Sequence, residues 1–221
     1  MRTGTRPAYR IAYRGGFVAP TTSTRVPTGN TYDKYTSTNP FERRLMAGFF
    51  LALGDMLPSS VPQRVLEVGV GEGEVAQRIS TRWPELAPIG LDLPDPGLVD
   101  RWRTTNLVPT FGDVGCLPFR DGTFDLVLAI EVLEHVADAD TALAEIARVA
   151  RNLVIVSVPR EPIWRIGNVV RGKYLRDLGN TPGHVQHWST RAFTELVATH
   201  LQVERVSTPL PWTMVQARGA V

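Results

Sequence analysis

The sequence predicts a single α/β domain built around a doubly wound, mostly parallel sheet of seven strands. From residue 64 onwards, short apolar segments alternate with segments whose apolar residues recur at helical spacing. The short segments are almost continuously apolar, as in strands that are buried on both faces of a parallel sheet. A turn with three glycines follows the first of these segments, where folds of this class bind their ligands. The chain of 221 residues fits one domain, and no internal repeat is visible.

The first predicted element is a helix over residues 39–51. Asn39 is a suitable N-cap, and Pro40 suits the first helical position because its missing N–H group would have no helical partner there. Leu45, Phe49 and Leu53 follow one another at a spacing of four, so all three belong to one apolar face.

Further helices are expected over residues 72–81, 138–150 and 191–200, with a short helix after the second strand. The seven strands are expected over residues 64–68, 88–91, 108–111, 124–130, 152–158, 201–206 and 213–217. Pro109 cannot donate a ladder hydrogen bond, which indicates an edge or strand-end position for the third strand.

The composition excludes several classes of protein. The formal net charge is +2, which does not by itself indicate a nucleic-acid partner. Cys116 is the only cysteine, so neither an internal disulfide nor a cysteine-rich zinc site is possible. We expect Cys116 to be a small buried side chain. No apolar run approaches the roughly 20 residues that a membrane-spanning helix needs, and we expect a cytoplasmic protein.

The N-terminal segment differs from the rest of the chain. Residues 1–30 contain five arginines and no acidic residue, and Ser, Thr, Gly and Pro are frequent among them. This composition predicts a disordered basic leader, with a transit peptide as the alternative. We expect the folded domain to cover residues 31–221.

The glycine-rich turn is the central motif of the sequence. Gly69, Gly71 and Gly73 follow the first strand at alternate positions, and Glu67 precedes them. This G-x-G-x-G spacing differs from the G-x-G-x-x-G of dinucleotide-binding proteins. A carboxylate beside such a turn disfavours a pyrophosphate and suits a ligand that carries an ammonium group.

Two further acidic residues follow the next two strands. Asp92 ends the second strand, about 20 residues after the turn, where an acid can accept hydrogen bonds from both ribose hydroxyls. Asp113 and Val114 follow the third strand, where an acidic and an apolar side chain suit an adenine amino group and ring. Each acid taken alone could also be a solvated loop residue.

Together these motifs resemble those of class I S-adenosylmethionine-dependent methyltransferases, most closely the small-molecule, quinone-biosynthesis-like branch (methyltransferase type 11). The resemblance covers residues 65–158 and includes the segments 117–119, 122–125 and 131–136. It implies a Rossmann-like methyltransferase fold and S-adenosylmethionine as cofactor, with S-adenosylhomocysteine as product. The residues expected to bind the cofactor are Tyr35, Glu67, Gly69, Gly71, Gly73, Asp92, Leu93, Asp113, Val114, Ile130 and Glu131.

Three histidines are candidates for a general base. His135 follows the fourth strand, at the end of the sheet where the site is expected, although it could instead cap or pack its helix. His184 and His187 belong to a G-H-x-x-H segment that resembles the rim of the acceptor pocket in this family. Their spacing alone also suits a metal, but no third ligand is evident from the sequence, and no metal is predicted.

Residues 160–188 are expected to form an insertion that covers the acceptor site. Basic and aromatic residues alternate in it: Trp164, Arg165, Arg171, Lys173, Tyr174 and Arg176. This mixture favours an acidic or polyoxygenated acceptor, or one presented at a membrane surface. The alternative is a solvated helix with its basic residues outward.

The predicted reaction is transfer of a methyl group to a small molecule, with O-methylation of a metabolite preferred. A protein or RNA methyltransferase and a catalytically silent partner subunit are the alternatives. We expect no nucleic-acid partner, no transmembrane segment, possible peripheral membrane contact, and a monomer or homodimer.

Overall fold

The computed structural model describes residues 38–102, 105–170, 172, 174 and 177–219. Its seven strands are β1 (Val65–Val68), β2 (Ile89–Asp92), β3 (Val108–Phe111), β4 (Phe124–Ile130), β5 (Ala150–Pro159), β6 (Leu201–Ser207) and β7 (Trp212–Gly219). The helices are α1 (Pro40–Met56), α2 (Glu74–Arg82), α3 (Pro96–Trp102), α4 (Ala139–Val149), α5 (Ile163–Val170) and α6 (Thr190–Ala198).

All seven strands form one sheet in the order β3-β2-β1-β4-β5-β7-β6. The first five strands are parallel to one another, and β7 is antiparallel to both β5 and β6. The strand order reverses between β1 and β4, so the carboxyl ends of the central strands flank a topological switch point, where open α/β sheets bind ligands. The doubly wound, mostly parallel sheet of seven strands is therefore confirmed.

The local sequence explains where the first helix begins. The Asn39 side chain accepts a hydrogen bond from the backbone N–H of Phe41 at 2.9 Å, and Pro40 occupies the first helical position, as predicted. Phe49 and Leu53 are buried on the face of α1 that packs against the sheet. Pro109 lies in β3, which is an edge strand, also as predicted.

Some element bounds differ from the prediction. Helix α2 begins at Glu74 rather than at residue 72, because the glycine-rich turn extends through Gly73. Helix α5 lies inside the insertion predicted over residues 160–188.

Cys116 is exposed in the turn after β3, so the prediction of a buried cysteine is wrong. No helix among the described residues is long and apolar enough to cross a membrane.

The sheet is covered on both faces. Helices α4 and α6 bury Leu143, Ile146 and Phe193 on one side, whereas α1 and α2 bury Phe49 and Ile79 on the other. Strand β4 lies between these layers, and its side chains from residue 126 to 129 have no exposed surface. The continuous apolar composition of the central strands follows from this double cover.

Arg148 at the end of α4 fixes the loop between β3 and β4, which borders the ligand-binding edge. Its guanidinium donates hydrogen bonds to Glu145, to Asp121 and to the carbonyl oxygens of Leu117 and Phe119, at distances from 2.7 to 3.0 Å. Glu145 in turn accepts a hydrogen bond from the backbone N–H of Leu117.

Replacing Arg148 by alanine is expected to destabilise the fold by about 1–3 kcal/mol, since two partly buried loop carbonyls lose their charged donor. Thermal unfolding should show a melting temperature lower by roughly 2–10 °C. Arg191→Ala is the control, because its ion pair with Glu195 is solvent-exposed and its loss should not alter the melting temperature. Equal melting temperatures for both variants would contradict this role of Arg148.

Candidate functional site

A cavity of about 260 Å³ opens at the carboxyl ends of the parallel strands. The segments that line it are the glycine-rich turn, the ends of β2 and β4 and the loops after β3 and β4. Of the residues predicted to bind a cofactor, those that line this cavity are Glu67, Gly69, Gly71, Asp92, Leu93, Asp113, Val114, Ile130 and Glu131. The topology thus brings together residues that come from four different strands.

The glycine-rich turn is held against β2 by its own backbone. The N–H groups of Gly69 and Val70 both donate to the carbonyl oxygen of Leu91, at 2.7 and 3.3 Å. Gly69 and Gly71 have φ values of 68° and 53°, in the left-handed region that favours glycine. The space behind Gly69 is filled by Val132, which a Cβ atom on residue 69 would overlap.

Substitution of Gly69 by alanine should destabilise the protein by about 2–4 kcal/mol, because left-handed strain adds to overlap with Val132. Gly71→Ala is a matched control: it has a similar φ, but its added Cβ meets nothing within 4 Å. We expect Gly71→Ala to cost about 1–2 kcal/mol, from strain alone. In denaturant titrations, adding Val132→Ala to Gly69→Ala should recover the part of the free energy of unfolding by which Gly69→Ala falls below Gly71→Ala. If the second substitution recovers nothing, overlap with Val132 is not the cause of that loss.

Asp92, the last residue of β2, supports the glycine-rich turn directly. Its Oδ2 accepts a hydrogen bond from the Gly71 N–H at 2.7 Å, and its Oδ1 accepts one from the Leu93 N–H at 2.8 Å. Burial raises the pKa of the Asp92 carboxyl, and these two hydrogen bonds oppose that effect. Asp92 is half-buried and borders the cavity, so it can accept further hydrogen bonds from a ligand.

Glu67 is the most buried acid in the cavity, with 3% of its surface exposed. Its Oε2 is buried and has no hydrogen-bond partner among the described residues. Burial raises the pKa of Glu67 well above its ordinary value, and the nearby Asp92 carboxylate raises it further. A buried carboxylate oxygen without a donor at the cavity wall is suited to a cationic or donor group of a ligand.

Glu131 follows β4 in a strained conformation, with a φ of 60°. The indole N–H of Trp212 donates to its Oε2 at 2.6 Å, and the Ser157 hydroxyl donates to its Oε1 at 3.3 Å. Trp212 begins β7, far along the chain, and no motif in the sequence indicated it as a site residue. These two contacts hold the Glu131 side chain in one orientation, as expected at functional positions that carry backbone strain.

The loop after β3 contributes one polar and one apolar residue to the cavity. Asp113 is exposed and accepts a hydrogen bond from the Gly115 N–H at 2.8 Å, whereas Val114 is buried. Beside the glycine-rich turn, the indole N–H of Trp102 donates to the Gly71 carbonyl oxygen at 2.8 Å, and the Trp102 ring stacks on Phe111. Trp102 was also missed, since no pattern in the sequence ties it to the turn.

The structure separates the three candidate histidines. His135 lines the cavity, and its Nδ1 lies 3.0 Å from the carbonyl oxygen of Gly183. The His184 ring packs against it with ring centroids 4.9 Å apart. His187 is exposed, and its Nε2 lies 2.7 Å from Oδ1 of Asn180. The geometry therefore pairs His184 with His135 rather than with His187.

The same pairing brings in Glu134, an acid that was not among the predicted site residues. Glu134, His135 and His184 each offer one ligand atom, and these atoms all lie within 4.8 Å of one another. Glu134 is adjacent to a residue singled out from the sequence, but its proximity to His184 depends on the docking of residues 181–186 and could not be read from spacing.

Several predicted residues lie outside the cavity or outside the described part of the chain. Gly73 precedes α2 and is not among the cavity-lining residues, and Tyr35 lies outside the described residues, as do Arg171, Lys173 and Arg176. Arg165 is described: its Nε donates to the Leu178 carbonyl oxygen at 3.1 Å. Trp164 contacts the site through His184, since their rings stack with centroids 6.0 Å apart.

Comparison with known proteins gives consistent matches to methyltransferases. A family model described as a methyltransferase domain matches residues 66–156. A demethylmenaquinone methyltransferase of Thermus thermophilus is 31% identical over 132 residues, 56% of this chain and 60% of that protein. An O-methyltransferase of Aspergillus nomiae is 30% identical over 156 residues, 58% of this chain and 68% of that protein. The chain spans between 32% and 68% of the length of the curated relatives it matches.

The fold has many solved counterparts. The methyltransferase solved in complex with the Trm112 methyltransferase activator of Haloferax volcanii superposes with a TM-score of 0.64 at 20% identity. The superposition covers 82% of this chain and 92% of that one. At this identity the similarity concerns the fold alone.

Proposed function

The chain belongs to the class I S-adenosylmethionine-dependent methyltransferases, and we propose that it uses this cofactor to methylate a small-molecule acceptor at an oxygen atom. The observation that carries the proposal is the cavity at the switch point of the sheet. It is lined by the buried acid Glu67, by Asp92, which suits a ribose, and by the loop with Asp113 and Val114, which suits an adenine.

The residues present fit the cofactor that the family uses. Glu67 supplies a buried carboxylate oxygen that has no donor within the described part of the chain, which matches the ammonium group of the methionine moiety. Asp92 matches the ribose hydroxyls, while Asp113 and Val114 match the amino group and the ring of adenine. Leu93, Ile130 and Glu131 would complete the binding surface, together with the backbone of the glycine-rich turn and Tyr35.

When bound, the cofactor supplies a methyl group that is already activated on a sulfonium sulfur. The chain therefore has to bind and orient the two substrates in line, exclude water and, for an oxygen acceptor, remove a proton. Among the candidate bases, His135 borders the cavity and His184 packs against it, so we assign proton removal to this histidine pair.

Activity measurements with a panel of matched hydroxyl, amine and carbon acceptors would test the proposal. We expect methylated hydroxyl products in step with S-adenosylhomocysteine formation. His135→Ala and His184→Ala should each lower kcat about 100-fold or more without weakening binding of S-adenosylhomocysteine. His200→Ala, in the surface pair with Asp140, is the control. Products methylated only at nitrogen or carbon would refute the assignment to an oxygen acceptor. Turnover by His135→Ala and His184→Ala at the rate of the His200→Ala control would refute the assignment of proton removal to these histidines.

A further inference from the structure

The cluster of Glu134, His135 and His184 has the composition of a metal site. Two imidazoles and one carboxylate offer ligand atoms that all lie within 4.8 Å of one another. Glu134 is only 1% exposed and His184 only 8%, so this is not the solvated acidic surface that commonly occurs without a metal.

The three residues are brought together by backbone contacts rather than by chance proximity of mobile side chains. Glu134 and His135 lie in a single 3₁₀ turn, Leu133–His135, directly after β4. The N–H groups of Val185 and Gln186 both donate to the Glu134 carbonyl oxygen, at 2.8 and 3.1 Å. This docking places His184 next to the turn.

The orientation of both rings is restrained. His135 Nδ1 lies 3.0 Å from the Gly183 carbonyl oxygen; because a carbonyl only accepts, Nδ1 is the donor and carries the proton. In the neutral ring Nε2 then keeps its lone pair, and a backbone carbonyl that fixes the tautomer in this way is the usual outer partner of a metal-binding histidine. The His184 ring is held between His135 and Trp164.

We propose that Glu134, His135 and His184 bind a divalent ion of the zinc class at the wall of the cavity. Two histidines and one glutamate form a ligand set that Zn²⁺ uses in catalytic sites, where a further position stays open for water or substrate. Because His135 lines the cavity, an acceptor that enters the cavity could reach the ion. Binding of the ion by these three residues does not depend on the proposed methyl transfer.

The role of the ion deepens that function and rests on it. A bound Zn²⁺ would supply a Lewis acid that favours the alkoxide or phenolate form of an acceptor hydroxyl, and the released proton would pass to water. In the metal-loaded protein, His135 and His184 thus act as ligands, and the proton removal assigned to the histidine pair is achieved through the metal.

The test is titration of the purified full chain, without an affinity tag, with Zn²⁺ and with Co²⁺ as a spectroscopic substitute. We expect one ion per chain and a visible absorption band for Co²⁺ that Zn²⁺ abolishes. Glu134→Gln and His184→Ala should each weaken binding at least about 100-fold, because each removes a direct ligand. His200→Ala and Cys116→Ser, which change other potential ligands at the surface, should bind as the wild type does.

Because His184 is buried, its variant must also be shown to fold, by circular dichroism. A second measurement needs no variant: X-ray absorption of the Zn²⁺-loaded protein should show two imidazole ligands. Absence of binding, or equal binding by the ligand variants and the wild type, overturns the proposal. Titration with S-adenosylhomocysteine in the same preparation separates this failure from failure of the proposed function, since that ligand binds without the metal.

Discussion

Replacing Asp92 by alanine is expected to weaken binding of S-adenosylmethionine and S-adenosylhomocysteine by a factor of about 100 or more, measured by calorimetric titration. Two effects add. The variant loses the carboxylate proposed to accept the ribose hydroxyls, and it also loses the acceptor of the Gly71 and Leu93 N–H groups. Hydrogen bonds to a charged group contribute about 1.5–3 kcal/mol each, so the loss of even one accounts for a tenfold or larger change.

The matched control for this prediction is Asp140→Ala. Asp140 is also an aspartate with a hydrogen-bonded side chain, but it is exposed and pairs with His200 away from the cavity. We expect wild-type affinity from this variant. If Asp92→Ala folds normally and binds the cofactor within threefold of the wild-type affinity, Asp92 does not hold the ribose.

Replacing Glu67 by glutamine should change affinity and stability in different ways. The amide keeps the shape of the side chain but removes the charge that would face the ammonium group, so affinity for S-adenosylhomocysteine should fall about 10- to 100-fold. Glu72→Gln is unsuitable as a control, since Glu72 also lines the cavity and pairs with Arg101. Glu85→Gln, in an exposed turn, is a suitable control.

The stability effect of the same substitution depends on pH. Since burial raises the pKa of Glu67, the folded state binds a proton that the unfolded state has already released at pH values just above 4.5, the ordinary value. Stability contributed by this residue is therefore present below that pH and is lost as pH rises towards the folded-state pKa. Glu67→Gln cannot titrate, so its free energy of unfolding should increase relative to wild type between pH 4 and pH 8.

Denaturant titrations at several pH values, with and without S-adenosylhomocysteine, measure both effects. The ligand should stabilise the wild type more than the variant, because its ammonium group offsets the buried charge of Glu67. A difference in stability between the two proteins that does not change with pH would show that Glu67 does not titrate in this range. Equal stabilisation of the wild type and Glu67→Gln by the ligand would show that Glu67 does not contact the ammonium group.

Much of the site could be predicted because it depends on strand order and short spacing. Glu67 and Asp92 belong to strands whose carboxyl ends share one edge of the sheet, so the alternation of strands and helices was enough to bring them together. The cap formed by Asn39 and the edge position of Pro109 follow from local backbone chemistry, which acts within a few residues.

The contacts that were missed all join residues distant in sequence. Trp102 reaches the turn at Gly71, and Trp212 reaches Glu131, through single side-chain hydrogen bonds that leave no periodic pattern. The antiparallel insertion of β7 between β5 and β6 likewise depends on packing of the whole sheet. Cys116 was misjudged because a small side chain in a turn is buried or exposed according to the path of the neighbouring loops.

The attachment of residues 185 and 186 to the Glu134 carbonyl oxygen has a consequence for how this protein could be redesigned. Both hydrogen bonds use main-chain N–H groups, which every amino acid except proline provides. The Val185 side chain is 58% exposed and takes no part in them. Randomising position 185 with all residues except proline would therefore vary the surface of this segment while its anchor stays intact, which makes the position a practical starting point for a library of variants.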